Sequence, residues 1–171
     1  MVRSRCRVFG ALAACVVLGA CATARTPAVI AAPASFDLDH LKPLLIDHGV
    51  GVQIYQCKRG DDDRLTWTFR EPLATLIHDG KTVGRHYAGP VWSFNGGEEI
   101  VGKVLETAPG ATANDIPLLR LEVVAHRGDG PLQTARQVWR VNTQGGALSG
   151  PCPSDGMLQL QTYSADYVFL P

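Results

Sequence analysis

A period of two in side-chain polarity, running from Val52 to the end of the chain, is the feature that most constrains the fold. Apolar and polar residues alternate clearly over residues 65–69, 119–126 and 162–169. Such alternation is typical of strands with one buried face, and it places Trp67 in the core. Dipeptides that favour tight turns separate the runs; they are Asp79-Gly80, Asn95-Gly96, Asp129-Gly130, Gly145-Gly146 and Asp155-Gly156. No stretch suits a long crossover helix, so the sequence predicts an all-β fold, an antiparallel β-sandwich or small barrel.

Size and charge limit the classes of function. The chain has 171 residues, 46% of them hydrophobic, which is enough for one domain with its own core. The first 20 residues hold three arginines and no acid, so the remainder carries 13 basic and 16 acidic side chains. A mildly acidic body without a basic cluster argues against binding to nucleic acid, whose phosphates require a positive surface.

The N-terminus has the pattern of an exported lipoprotein. Arginines at positions 3, 5 and 7 precede an apolar stretch over residues 8–18, and Leu18-Gly19-Ala20-Cys21 resembles a bacterial lipobox. We therefore predict that residues 1–20 are a signal peptide and that Cys21 is acylated, with the membrane as partner. By resemblance to Gram-negative lipoprotein sorting, the residue at position 22, Ala rather than Asp, indicates the outer membrane facing the periplasm.

The segment that follows leaves a second route open. Small residues at positions 22–24 also fit ordinary signal cleavage after Ala24, which would give a secreted or periplasmic protein. Residues 21–35 are rich in Ala, Pro and Thr and predict a flexible tether, with residues 36–171 as the β-domain.

The predicted processing of the N-terminus decides which of the five cysteines remain as free thiols in the exported domain. Cys6 and Cys15 leave with the signal and Cys21 is assigned to lipid, which leaves Cys57 and Cys152. Two thiols in an oxidising compartment predict a disulfide, which closes a loop of roughly 100 residues. The alternatives are a metal pair or a catalytic thiol, but no C-x-x-C motif occurs and neither cysteine has a neighbouring histidine.

The most promising stretch for a site runs from Gly84 to Phe94. Alternation places His86 on one strand face and Tyr87 on the other, and Gly89-Pro90 bends the chain so that Trp92 comes near His86. Our candidate ligand-binding residues are His86, Tyr87 and Trp92, joined by Arg140 and Asn142. For His86 the alternative is a structural role, with the imidazole hydrogen-bonded to backbone at the corner.

Motifs for cofactors, metals and nucleophiles are missing. The Gly49–Ile54 stretch begins like a dinucleotide fingerprint but lacks the third glycine and opens a strand, so no cofactor is expected. The sequence has no H-E-x-x-H metal motif and no G-x-S-x-G serine elbow. A hydrolase with His86 as general base would need a carboxylate partner, for which Asp79, Glu98 and Asp166 are the candidates.

Several segments together resemble one known family. They are residues 51–57, 84–92, 116–119, 140–146 with Cys152, and 163–167, and they include His-x-x-Gly-Pro-x-Trp and Arg-Val-Asn-Thr-x-Gly-Gly. In order and spacing the chain resembles the family named domain of unknown function 3455, over roughly residues 50–169. The resemblance implies a secreted or envelope-attached bacterial protein, with fungal relatives and without an established activity.

Taken together, these features predict an envelope-anchored lipoprotein whose β-domain is non-catalytic and binds a small polar ligand, a glycan or a protein partner. Two alternatives remain. One is the hydrolase-like enzyme that uses His86 as general base, and the other is a structural spacer domain without a ligand.

Overall fold

The structure, a computed structural model, describes residues 34–171. The predicted signal peptide, lipidation site Cys21 and most of the tether lie outside these residues. A single turn of 3-10 helix, Ala34–Phe36, precedes eight strands. The strands are β1 (Leu45–Arg59), β2 (Leu65–His78), β3 (Lys81–Tyr87), β4 (Val91–Phe94), β5 (Glu99–Ala108), β6 (Leu118–Arg127), β7 (Gln137–Gly145) and β8 (Leu158–Leu170).

Each strand pairs antiparallel with the next, and β8 returns to pair with β1, which closes a barrel. The prediction of an all-β antiparallel fold is therefore confirmed, and of the two architectures it named the chain adopts the barrel. The interior of an eight-stranded barrel is just wide enough for packed side chains or one small ligand. No helix within residues 34–171 is long and apolar enough to cross a membrane.

Alternation along β8 shows how the core is filled. Tyr163, Ala165, Tyr167 and Phe169 are all buried and belong to the main core cluster, while the residues between them face outward or a second cluster. On β1, which pairs with β8, Gly49 faces the barrel interior. The Tyr167 ring occupies the space that a side chain at this position would need. The glycine thus makes room for a large aromatic ring in a narrow barrel.

Strand β1 begins at Leu45, earlier than the period of two suggested. Its outward positions include Ile46 and Val50, which are 46% and 45% exposed, and the inward Gly49 has no side chain. Apolar groups outside and a glycine inside conceal the alternation, because the pattern depends on apolar residues being the buried ones.

Of the five predicted turn dipeptides, Asp79-Gly80 forms a two-residue hairpin, whereas Asp129-Gly130 and Asp155-Gly156 lie in longer connections and Gly145 is the last residue of β7. Asp79 and Gly80 join β2 to β3 with φ values of 47° and 74°, the left-handed conformation that a two-residue hairpin requires. Gly89 and Pro90 lie in the turn between β3 and β4, so the predicted bend beside His86 is confirmed.

The predicted disulfide is also present. Cys57 on β1 is bonded to Cys152, whose Cα atom lies 5.7 Å away, in the loop before β8. Cys57 is fully buried. The bond therefore fastens the last loop to the barrel wall at the end of the first strand.

A second apolar cluster lies on the outer wall, beneath the segment that leads into the barrel. Phe36 packs edge-on against Trp139, with ring centroids 5.9 Å apart, and Leu38 and Leu41 extend the contact. The wall residues they cover are Ala108, Leu118, Trp139, Val141, Val168 and Leu170. Strand β7 is consequently buried on both faces from 138 to 141 and shows no alternation there.

Candidate binding site at the mouth of the barrel

A cavity of about 210 Å³ opens at the end of the barrel where β3 turns into β4. Its walls are mostly apolar, and its polar groups belong to a few side chains. The lining residues are Phe69, Arg70 and Pro72 of β2, His86 of β3, Ala88, Gly89 and Pro90 of the turn, Trp92, Val104, Leu119 and Leu121, Arg140 of β7 and Tyr167 of β8.

Two strand irregularities border this cavity. The register of β1 with β2 shifts between Ile54 and Tyr55, so that Arg70 is left without a partner in the ladder. The register of β5 with β6 shifts between Val104 and Glu106. Such bulges occur often at barrel rims and beside active sites, where they re-aim a side chain or end the strand pairing.

His86 lies deep in this site. Its side chain is buried, and Nδ1 lies 3.0 Å from the carbonyl oxygen of Val91. Burial lowers the pKa of His86 to about 3, and the nearby charge of Arg140 acts in the same direction. The imidazole is therefore neutral at physiological pH, with Nδ1–H donating to Val91 and a lone pair on Nε2.

Trp92 lies beside it and forms part of the cavity wall. The indole ring contacts His86, Tyr167 and Phe169 at centroid distances of 4.7, 5.6 and 6.0 Å. Its Nε1 is buried and has no hydrogen-bond partner among residues 34–171. An N–H donor left in this state raises the free energy of the unliganded protein.

Arg140 is the only buried cation among the described residues of the cavity lining, and it is 8% exposed. Nε and Nη2 both donate to the carbonyl oxygen of Pro117, at 3.1 and 2.8 Å. Burial lowers the pKa of the guanidinium, and the surrounding phenols act in the opposite direction. Arginine nevertheless stays protonated in proteins, so a positive charge lies inside the barrel.

The phenols around this charge are neutral. One hydrogen bond joins the hydroxyl groups of Tyr163 and Tyr167, whose oxygen atoms are 2.9 Å apart. Burial raises the pKa of Tyr163 and raises that of Tyr167 well above its ordinary value. Neither phenol can therefore serve Arg140 as a counter-ion at physiological pH.

Of the five residues that the sequence proposed for ligand binding, the structure brings His86, Trp92 and Arg140 into this one cavity. Tyr87 lies on the outer face of β3, because neighbouring strand residues point in opposite directions, and its hydroxyl donates to Glu99 at 2.8 Å.

Asn142 is displaced for a different reason. By alternation it would follow Arg140 inward, but the pairing of β7 with β8 is irregular between Val141 and Gln144, and Asn142 has φ of 50°. This bulge turns its side chain outward, where Nδ2 donates to Asp166 at 2.7 Å.

The carboxylates proposed as partners of a general base are engaged elsewhere. Glu98 accepts hydrogen bonds from the backbone N–H of Leu132 and from Gln133, and Asp166 is bonded to His48 and Asn142. Asp79 lies near His78. No hydrogen bond joins any of them to His86, and residues 34–171 contain no group of three or more His, Cys, Asp or Glu placed to hold a metal ion.

Sequence reasoning missed Tyr167 as a member of the site. It lies directly opposite Arg140 in the ladder between β7 and β8. The only signal in the sequence was its place on the apolar face of the last alternating run. That face predicts burial, and it does not predict which residue of another strand lies alongside.

Comparison with known proteins agrees with this description at the level of family. A family model described as "Protein of unknown function (DUF3455)" matches residues 39–171. No curated protein matches the chain. No solved structure matches it either.

Proposed function

The chain belongs to the DUF3455 family of proteins of unknown function, and we propose that its barrel binds one small, largely apolar molecule in the cavity at its mouth. The role is non-catalytic binding. It keeps the small-ligand hypothesis that the sequence suggested and changes the expected ligand from polar to mainly apolar.

The observation that carries this proposal is the make-up of the cavity. Ligand sites are typically preformed hollows with apolar walls and a few convergent polar groups. Here Phe69, Pro72 and Leu121 are among the apolar wall residues, and His86 and Arg140 provide the polar groups. Small eight-stranded barrels with such an interior can hold a single small ligand.

The same walls favour this ligand over the other two classes considered from the sequence. A glycan needs many hydrogen-bonding side chains, whereas most of this lining is aliphatic or aromatic. A folded protein partner needs an extended interface of roughly 800 Å² on each side, whereas this site is a concave cavity of about 210 Å³.

Catalysis by His86 has less support than binding. A general base works best with a pKa near the operating pH. Burial holds the pKa of His86 at about 3, and its Nδ1 is committed to Val91. The imidazole is therefore better suited to form a wall of the cavity than to take a proton.

The test uses uncharged aromatic probes of increasing size, from indole to N-phenylnaphthylamine. We expect saturable binding at one site, seen as enhanced fluorescence of the larger probe and as a shift of the Trp92 indole N–H resonance. Ala88 is exposed at the rim, so Ala88→Trp should block the mouth without disturbing the core and weaken binding by about tenfold or more.

Ala113→Trp is the matched control, because Ala113 is also exposed in a loop but lies outside this cavity. It should leave probe affinity unchanged. If the folded wild-type protein binds none of the probes, or if Ala88→Trp binds them as well as Ala113→Trp does, the proposal is wrong.

Membrane attachment is part of the proposal. We infer that Cys21 is acylated and holds the domain at the outer membrane, facing the periplasm. The support comes from the sequence, namely the lipobox at 18–21 and the tether that follows it. Several acyl chains on one residue would hold the domain firmly, since each buried methylene contributes about 0.8 kcal/mol.

Mass spectrometry of the mature N-terminus tests the attachment. A lipid-modified Cys21 as first residue is the expected result, and Cys21→Ser should release the protein from the membrane fraction. An unmodified Arg25 as first residue would instead identify the secreted or periplasmic alternative, with cleavage after Ala24.

A further inference from the structure

The buried cation in the cavity lacks a counter-ion. Arg140 is 8% exposed, and no carboxylate among residues 34–171 lies within 4 Å of its guanidinium. The carbonyl oxygen of Pro117 accepts hydrogen bonds from Nε and Nη2, and the neutral Tyr167 hydroxyl is a further hydrogen-bond partner of the guanidinium. A buried charge without a partner of opposite sign is costly, and such charges are usually paired or bind a ligand.

The hydrogen bonds to Pro117 use one edge of the guanidinium, the edge formed by Nε and Nη2. The N–H groups on Nη1 and the second N–H on Nη2 form the opposite end of the planar fork, which is suited to both oxygens of a carboxylate. Trp92 provides another buried donor without an acceptor in the same lining.

The other cation of the lining is already neutralised. Arg70 at the rim forms an ion pair with Glu71, in which Nε and Oε1 are 3.0 Å apart. Arg140 is therefore the one positive charge of the cavity that a ligand would balance. One unbalanced, buried charge in the lining of an apolar cavity matches a molecule with one negative charge and an apolar remainder.

We propose that the ligand is an amphipathic monocarboxylate whose carboxylate binds Arg140 and whose hydrocarbon part lies against Phe69, Pro72 and Leu121. This inference rests on the proposed function, because it specifies the chemical class of the molecule bound in that cavity. The apolar wall selects for hydrocarbon, and Arg140 selects for the charge and fixes the orientation of the molecule.

The experiment compares hexanoate, octanoate and decanoate with the primary alcohols of the same chain lengths, by calorimetry and by the Trp92 resonance. Each carboxylate should bind about tenfold or more tightly than its alcohol. Octyl phosphate should bind more weakly than octanoate. Equal affinity of carboxylates and alcohols, or tighter binding of octyl phosphate, would overturn the inference.

Arg140→Met tests the residue itself. Its affinity for octanoate should fall to that of octanol. Arg140→Lys should retain part of the preference for carboxylates, because it keeps the charge and loses the planar fork. A preference for octanoate that survives in Arg140→Met would contradict the assignment.

A measurement on the wild-type protein avoids dependence on the folding of these variants. The preference for octanoate over octanol should disappear as pH falls below the pKa of the free carboxylic acid, while binding of octanol continues. The uncharged probes separate the two proposals. If they bind and the carboxylates show no advantage, only the charge inference fails; if nothing binds, the proposed function fails as well.

Discussion

His86 and Trp92 lie face to face inside the barrel, with ring centroids 4.7 Å apart and an angle of 18° between the ring planes. They are directly opposite each other in the ladder between β3 and β4, across the turn that contains Gly89 and Pro90. Because Nδ1 is hydrogen-bonded to the Val91 carbonyl oxygen and the ring is stacked on the indole, the neutral imidazole is held in a fixed orientation in the cavity wall.

His86 should make the stability of the protein depend on pH. Its pKa is about 3 in the folded protein and 6.5 when the residue is free, because burial disfavours the imidazolium. Below pH 6.5 the unfolded chain therefore binds a proton that the folded protein does not. The stabilising effect is complete above pH 6.5 and is lost as pH falls towards 3, with a slope of up to about 1.4 kcal/mol per pH unit.

Urea unfolding of the wild type and His86→Gln at several pH values between 7 and about 4 measures this contribution. The free-energy difference between the two proteins should shrink as pH falls, and the wild-type His86 ring signals in NMR should not titrate in that range. His40→Gln, at an exposed position, is the control and should keep the wild-type slope. A constant difference between wild type and His86→Gln would contradict the account.

The disulfide should contribute substantially to stability. Cys57 and Cys152 are 95 residues apart in sequence, and a bond across so long a loop restricts the unfolded chain strongly. Reduction, or replacement of both cysteines by alanine, should lower the free energy of unfolding by about 3–5 kcal/mol. Denaturant titration with and without reductant measures this change, and the double variant must show no further response to reductant.

Gly130 should tolerate no side chain. A methyl group at this position would collide with Glu98, whose carboxylate is buried and accepts a hydrogen bond of 3.0 Å from the backbone of Leu132. Moving Glu98 aside would break that bond, so Gly130→Ala should cost about 1–3 kcal/mol. Thermal unfolding measures the loss.

Gly96 provides the matched control, since a methyl group there would meet open space. Gly96→Ala should leave stability within about 0.5 kcal/mol of the wild type. Equal effects of the two substitutions would show that crowding by Glu98 is not what makes Gly130 necessary.

Phe36 should fasten the N-terminal segment to the barrel wall. The ring is 5% exposed and packs on Trp139, so Phe36→Ala should cost about 3 kcal/mol and increase proteolysis of the segment before β1. Leu105, which is 56% exposed, is the control, and Leu105→Ala should cost less than about 1 kcal/mol. Chemical denaturation and limited proteolysis give the two readouts.

The local pattern predicted some residues of the site and misplaced others. Alternation together with the Gly89-Pro90 bend was sufficient to bring His86 and Trp92 together, because both features act over a few residues. The same alternation did not indicate that Asn142 turns outward, because the bulge there depends on how β7 pairs with β8. Trp67, expected in the core, is only partly buried, and Phe69 is 50% exposed at the cavity rim.

By itself the sequence determined the all-β class, the Asp79-Gly80 hairpin turn and the pairing of Cys57 with Cys152, since side-chain period, turn conformation and the count of remaining thiols are local or compositional properties. Only the tertiary structure decided that the sheet closes into a barrel, that Arg140 faces Tyr167 across β7 and β8, and that the charge has no counter-ion. Those facts depend on the register between strands distant in sequence, and the polarity pattern of a single strand does not contain that register.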